Sequence, residues 1–305
     1  MSKLRFIKYI IIVTLSISFF DFIISFIIES RMKDRYNNMI YSSLSATSDI
    51  AILGASRAAH HYIPSVFKDS LQMTATNYGI DGQNIFTHYV ILNNILRNKQ
   101  NKPRVVIWEI SAIDINNTPR WNAEKLNILY PYYNSSLCVR TLLADVLDPK
   151  ECFVLKMSGL YRHNSNFITY LYRMLTGFPH PSDGYRPLTK QWNKPIEFEE
   201  EHGSNYHPKK IEYLVKIISL CKKENIQLII TVSPNYKLLP DQKWVKKVKE
   251  VTGKEKIPFL YHEKDTLYQS HNEWFNEPFH LNDKGAHIYT EQICREIKEY
   301  VHNSH

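Results

Sequence analysis

Asp49-Ile-Ala-Ile-Leu-Gly54-Ala-Ser56-Arg-Ala-Ala-His60-His61 is the stretch from which the fold is read. Ile50 to Leu53 is a short apolar run of the kind found inside a parallel sheet, where both faces of a strand are covered. Gly54 ends it and lets the backbone turn. Ser56 then falls in the first turn of a helix, whose free N–H groups and positive dipole end favour a developing negative charge. A serine placed there is a candidate nucleophile. For a Gly-x-Ser taken alone, a helix-capping serine is the simpler reading, and the far end of the chain, at Glu277-Pro-Phe-His280, weighs against it.

Working outward, the pattern alternates. A helix follows Ser56 through Ala58 and Ala59, and a second helical piece runs from Pro64 to Leu71. Strand signals at 74–78, 104–110, 226–232 and 257–261 are separated by helical periodicity at 84–97, 207–224 and 241–252. Ile211, Leu214, Val215, Ile218 and Leu220 are read as the inward face of the 207–224 helix. A last helix runs to Val301, with Asn282 or Asp283 as its N-cap. Such alternation predicts an α/β fold with right-handed βαβ units and a five-stranded parallel sheet.

Tyr9 to Ile28 is an apolar run of about 20 residues, enough to cross ~30 Å of hydrocarbon as a helix. The domain plan is an anchor at 1–30, a stalk at 31–48, and an α/β domain at 49–305 interrupted by an aromatic-rich insertion at 116–206. Basic residues flank the span on both sides, so charge does not orient it. An uncleaved anchor ahead of a large domain usually exports that domain, and the extracytoplasmic side is expected. Asp21 is the single charge inside the span. The insertion, carrying Trp121, Tyr130, Tyr132, Tyr133, Tyr161, Tyr170, Tyr172, Phe178, Tyr185 and Trp192, reads either as a peripheral satellite with a short helix at 164–175 or as a cap whose rings stack on sugar faces.

The chain has 305 residues and a net charge of +8. No zinc finger, helix-turn-helix arginine pattern or basic run points to nucleic acid, and the lysines are scattered over helices such as 243–256. Cys138, Cys152, Cys221 and Cys294 match no metal spacing, so neither metal nor cofactor is expected. One or two disulfides and buried free thiols both fit them.

Serine attacks an ester only when a base can take its proton, and the base needs a carboxylate to hold its tautomer. Glu277 precedes His280 by three positions on a loop stiffened by Pro278. In an α/β sheet this loop and the Gly54–Ser56 turn are both expected at the carboxyl ends of strands, where ligand sites collect.

Gly54-Ala-Ser56, Asn77-Tyr-Gly-Ile-Asp-Gly82 and Glu277-Pro-Phe-His280-Leu-Asn resemble three of the four sequence blocks of the SGNH/GDSL hydrolase superfamily, in the same order. The resemblance covers 49–301 without the insertion. It implies a flavodoxin-like three-layer fold, Ser56 as nucleophile, His280 as base, Glu277 as the orienting acid, and an oxyanion hole from the Ser56 and Gly82 N–H groups. The family's acid is usually aspartate. Its third block ends in an oxyanion asparagine, where this chain has Ile113 in Glu109-Ile-Ser-Ala-Ile-Asp114; Gln83 or Asn84 is the replacement donor at hand. A missing block-three asparagine is typical of membrane-anchored relatives, such as the D-alanine transfer protein of teichoic-acid modification and the alginate O-acetylation proteins. Their layout implies an acylated carbohydrate or envelope polymer as substrate and a membrane-bound acyltransferase as partner.

Arg57 and Asn235 are candidates for substrate binding. For Arg57, an ion pair with Glu109 or Asp114 is the commoner use of such a residue. His60 and His61 sit too rigidly on the helix of Ser56 to reach its hydroxyl and are read as packing or rim residues. The rival to an enzyme is an inactive relative that binds polysaccharide or scaffolds an envelope-modification complex.

Overall fold

Val, Ile and Leu dominate the three central strands, Ile50–Leu53, Val105–Glu109 and Gln227–Val232, because each is covered on both faces. In the computed structural model, which describes residues 3–32, 40, 42–45, 47–99, 102–117, 125–164, 183–198, 205–238, 240 and 242–302, the main elements follow in chain order. They are α1 (Lys3–Met32), β1 (Ile50–Leu53), α2 (Ser56–His61), α3 (Pro64–Leu71), β2 (Ala75–Asn77), α4 (Ile85–Arg97) and β3 (Val105–Glu109). Next come α5 (Leu137–Val146), α6 (Pro149–Met157), α7 (Gly159–Asn164), α8 (Pro208–Lys223), β4 (Gln227–Val232), α9 (Lys243–Glu255) and β5 (Phe259–Tyr261). The hairpin β6 (Phe275–Glu277) and β7 (His280–Leu281) leads into α10 (Asp283–His302).

Strands β1 to β5 form one parallel sheet in the order β2-β1-β3-β4-β5. Side chains alternate across it. Ile50, Ile52, Val105, Ile107 and Ile229 share one core with Tyr62, which follows α2, Phe67 of α3, and Tyr289 and Ile293 of α10. Helices α4 and α8 pack together beside β1 and β4, with Phe86 edge-on to Tyr213 at 5.0 Å. The α/β class and the five-stranded parallel sheet are therefore as expected. The inward face of α8 is not: Tyr213, Leu214, Ile217, Ile218 and Cys221 are buried, while Val215 is 39% exposed and Ile211 and Leu220 lie at the margin. The buried stripe is rotated because Tyr213 reaches the core against Phe86 and Tyr89.

The chain divides into two compact units, Met1–Tyr41 with Leu126–Pro179, and Ser42–Lys125 with His180–His305. The expected insertion is thus split between them. The second unit holds the sheet. Its residues 42–45 come from the expected stalk, yet Ser43 is buried and accepts a hydrogen bond from Asn94 Nδ2 at 3.1 Å. The first unit is helical. Lys3–Ile28 of α1 is long and apolar enough to cross a membrane. Around Val139, Leu142 and Leu143, Tyr130 stacks on Tyr161 at 6.2 Å, and both hydroxyls donate to Glu151. Tyr130, Tyr132 and Tyr133 are buried, so these rings are core and do not offer faces to sugars. Trp121, Tyr170, Tyr172, Phe178 and all but the first residue of the helix expected at 164–175 lie outside the described residues. The four cysteines are free thiols.

Candidate active site

Gly54 makes the turn after β1 with φ +149°, and a Cβ there would stand 2.6 Å from the Glu109 carbonyl oxygen. Only glycine fits so close to β3 at that angle. Ser56, two residues on, opens α2 half-buried. Its partner arrives on the hairpin β6–β7, which is fixed at three points. Tyr236 N–H donates to the Pro278 carbonyl at 2.8 Å, and Phe279 N–H donates to Glu277 Oε2 at 3.2 Å. Asn282 Oδ1 accepts the Gly285 N–H at 3.1 Å and caps α10, the first of the two N-cap candidates.

His280 Nε2 lies 2.6 Å from Ser56 Oγ, and His280 Nδ1 is hydrogen-bonded to Glu277 Oε1. A carboxylate on Nδ1 selects the tautomer that donates there and leaves Nε2 free to accept the serine proton. Burial opposes ionisation of Glu277, but His280, the Phe279 N–H and Lys237 outweigh it and hold the carboxyl below its ordinary range. Ser56, His280 and Glu277 thus meet in the order that proton transfer needs. The hairpin lies in sequence between β5 and α10, and its contacts with Ser56 and Tyr236 put it against the turns that follow the carboxyl ends of β1 and β4.

Of the two candidates for substrate binding, Arg57 takes the ion pair with Glu109 read as its commoner use, and Asn235 is buried beside it. Arg57 is buried directly beneath the serine turn, with Nε 2.9 Å from Glu109 Oε1 in an ion pair and Nη2 donating to the Ile110 carbonyl at 3.0 Å. Its Nη1 meets the Ser233 carbonyl and Asn235 Oδ1, both at 3.3 Å. Asn235 in turn donates to Glu263 Oε1 at 3.0 Å. Both side chains are spent on holding buried charge and have no face for a substrate. Burial opposes the charge of Arg57, yet Glu109 and Glu263 outweigh it and raise its pKa, whereas for the two carboxylates burial wins and raises theirs.

The sequence reading missed His61. It is fully buried, accepts the Leu281 N–H on Nε2 at 2.9 Å, and places Nδ1 2.8 Å from Ser233 Oγ. Leu281 is the neighbour of His280, so His61 fixes the backbone that carries the base. Burial first, then the nearby His280 and Arg57, push its pKa well below the usual histidine value and keep it neutral. His60 likewise binds rather than merely packs: Nδ1 lies 2.6 Å from the Arg186 carbonyl and Nε2 3.3 Å from Asp81. Arg186 makes a two-point pair with Asp81 at 2.9 and 2.7 Å, which ties residues 183–186 to the loop before Gly82. The signal was present, since two histidines on one helix beside a serine must each find hydrogen-bond partners when buried.

Among the described residues, the N–H groups of Ser56 and Gly82 carry no hydrogen bond, and Gly82 turns with φ +67°. Asn84, the expected replacement donor, stands at the N-cap of α4. It is fully buried, and its Oδ1 accepts the Phe86 N–H at 3.1 Å to cap α4. Gln83 Oε1 accepts from Thr87 Oγ1 at 3.0 Å. Ile113 lies in a one-turn helix whose capping box is closed by Ser111 and Asp114. Comparison with protein-family models finds no match for the chain, and comparison with curated proteins finds none.

Proposed function

We propose that the chain is a membrane-anchored serine esterase or O-acyltransferase of SGNH type, acting on an acetyl ester of a cell-envelope carbohydrate from the extracytoplasmic side. The observation that carries this reading is the 2.6 Å approach of Ser56 Oγ to His280 Nε2 with Glu277 on Nδ1. Further support comes from the 2-1-3-4-5 strand order, which is that of flavodoxin-type doubly wound sheets. The three SGNH-like blocks lie around one turn of this sheet.

Ser56 Oγ attacks the acyl carbon while His280 Nε2 takes its proton, and the Ser56 and Gly82 N–H groups receive the oxyanion. Collapse breaks the bond to the sugar oxygen, which leaves with the proton from His280. A water or an acceptor hydroxyl then attacks the acyl-serine by the same steps in reverse order. Water attacking an acyl-serine formed from the sugar ester gives an esterase. Where a membrane-bound acyltransferase partner supplies the acyl group, the donor's own leaving group departs with the His280 proton and a sugar hydroxyl then takes the acyl from Ser56, which gives a transferase.

The test is fluorophosphonate labelling of the full-length protein in detergent. Wild type is expected to label, and Ser56→Ala and His280→Ala are expected to lose labelling by at least about 10³-fold. A folded wild type that does not label sinks the enzyme reading and favours an inactive polysaccharide-binding relative.

A further inference from the structure

A carboxylate inside an apolar span needs partners from protein, because lipid offers none. Asp21 of α1 has them. Its oxygens accept from Ser158 Oγ at 2.7 Å and from the N–H groups of Gly159 and Leu160 at 2.8 and 3.0 Å. Ser25, one turn on along the same face of α1, lies against Gly159, where a Cβ would stand 1.8 Å from Ser25 Oγ. Any larger residue would hold α7 off the span. The turn between α6 and α7 is therefore docked on α1 at the level of Asp21. That level is about 10 Å inside the Ile28 end of the apolar run, at 1.5 Å per residue.

The side chains around this turn suit hydrocarbon. Phe153 is 63% exposed and Met157 65%, and Val154, Leu160 and Tyr161 are exposed beside them. Between 153 and 161 the one exposed charge is Lys156, whose stem is long enough to carry its ammonium to the headgroups. Arg162 and His163 are buried within the unit, and Arg162 donates to the Leu155 carbonyl at 2.7 Å. In water this would be an apolar patch without a function; at the depth set by Asp21 it faces acyl chains.

We propose that residues 149–164 are a re-entrant helical hairpin that dips into one leaflet, docked on the span through Asp21, with Phe153 and Met157 facing lipid. The inference rests on α1 spanning a membrane but not on the chemistry of Ser56. It is tested with full-length protein in phosphatidylethanolamine/phosphatidylglycerol vesicles, carrying p-benzoylphenylalanine in place of Phe153, Met157, Phe22 or Val215 in turn. After irradiation, lipid adducts at 153 and 157 are expected within about threefold of those at 22, and at least about tenfold above those at 215. Adducts at 22 without adducts at 153 and 157 overturn the proposal, as do protein adducts there from a partner or a second copy. Absence of adducts at 22 overturns the spanning helix and the hairpin with it. In an Asp21→Ala background, adducts at 153 should fall at least about fivefold while those at 22 persist; an unchanged yield at 153 overturns the docking.

Discussion

The α/β unit contains two sets of serine, histidine and glutamate around the same turn, and they are wired differently. In the half-exposed set the histidine is central: Glu277 holds His280 Nδ1, and Nε2 faces Ser56 Oγ at 2.6 Å. In the buried set the serine is central: Ser233 Oγ donates to Glu109 Oε1 at 3.0 Å and faces His61 Nδ1 at 2.8 Å, while His61 Nε2 is closed by the Leu281 N–H. The rings of His61 and His280 stand edge-on at 5.9 Å. Residue types alone do not distinguish a proton relay from a strut. What distinguishes them is which group sits in the middle and whether a carboxylate touches the histidine.

The largest effect should come from the carboxylate of the relay. Glu277→Gln keeps the shape but weakens the hold on the His280 tautomer, and the labelling rate of Ser56 should fall by about 10⁴-fold with little change in thermal stability. A loss under about tenfold would mean that Glu277 is a strut as well.

Glu109→Gln should do the reverse. It leaves Arg57 buried without its closest counter-charge, a change that costs about 3–5 kcal/mol and lowers Tm by roughly 10 °C. The paired variant Arg57→Met with Glu109→Gln should regain most of that loss. If it does not, the pair is holding the serine turn by geometry more than by charge.

The buried histidine makes a pH-dependent contribution. His61 stays neutral in the folded state with its pKa well below the usual value, while in the unfolded chain it takes a proton below about pH 6.5. The unfolded state then binds more protons, so stability falls as pH drops below 6.5, by at most about 1.4 kcal/mol per pH unit from this group. Thermal unfolding from pH 7 to pH 5 should show a steeper fall in wild type than in His61→Phe, the difference being the share of His61 beside that of His207, whose pKa burial also lowers. A slope unchanged by the substitution places the proton elsewhere.

Much of this was legible from sequence for local reasons. The apolar run ending in Gly54, and Glu277 three residues before His280, are short-range patterns, and each fixes its own turn. Arg57 had carboxylates at neighbouring strand ends, but Glu263 lies on a later loop and could not be chosen from spacing. The role of His61 depends on Leu281, 220 positions away. The contact at 158–160 escaped for the same reason, since its hydrogen-bond acceptor is Asp21 of α1. Patterns that close within one turn can be read; those that pair distant segments leave only an unexplained polar residue, as Asp21 and His61 were.

Asn84 separates relay from scaffold with the smallest effect. As a buried N-cap of α4, accepting from Phe86 N–H at 3.1 Å, its truncation should cost about 1 kcal/mol of stability. As an oxyanion donor it would instead cost about 10²–10³-fold in rate. Asn84→Ala is expected to lower Tm by a few degrees, about 2–4 °C, and to change the labelling rate of Ser56 by less than about threefold. A hundredfold fall at unchanged Tm would move Asn84 into the oxyanion hole, and the Ser56 and Gly82 N–H groups would no longer suffice. The Ser56 and Gly82 N–H groups favour the first outcome, since among the described residues neither carries a hydrogen bond that would compete with an oxyanion.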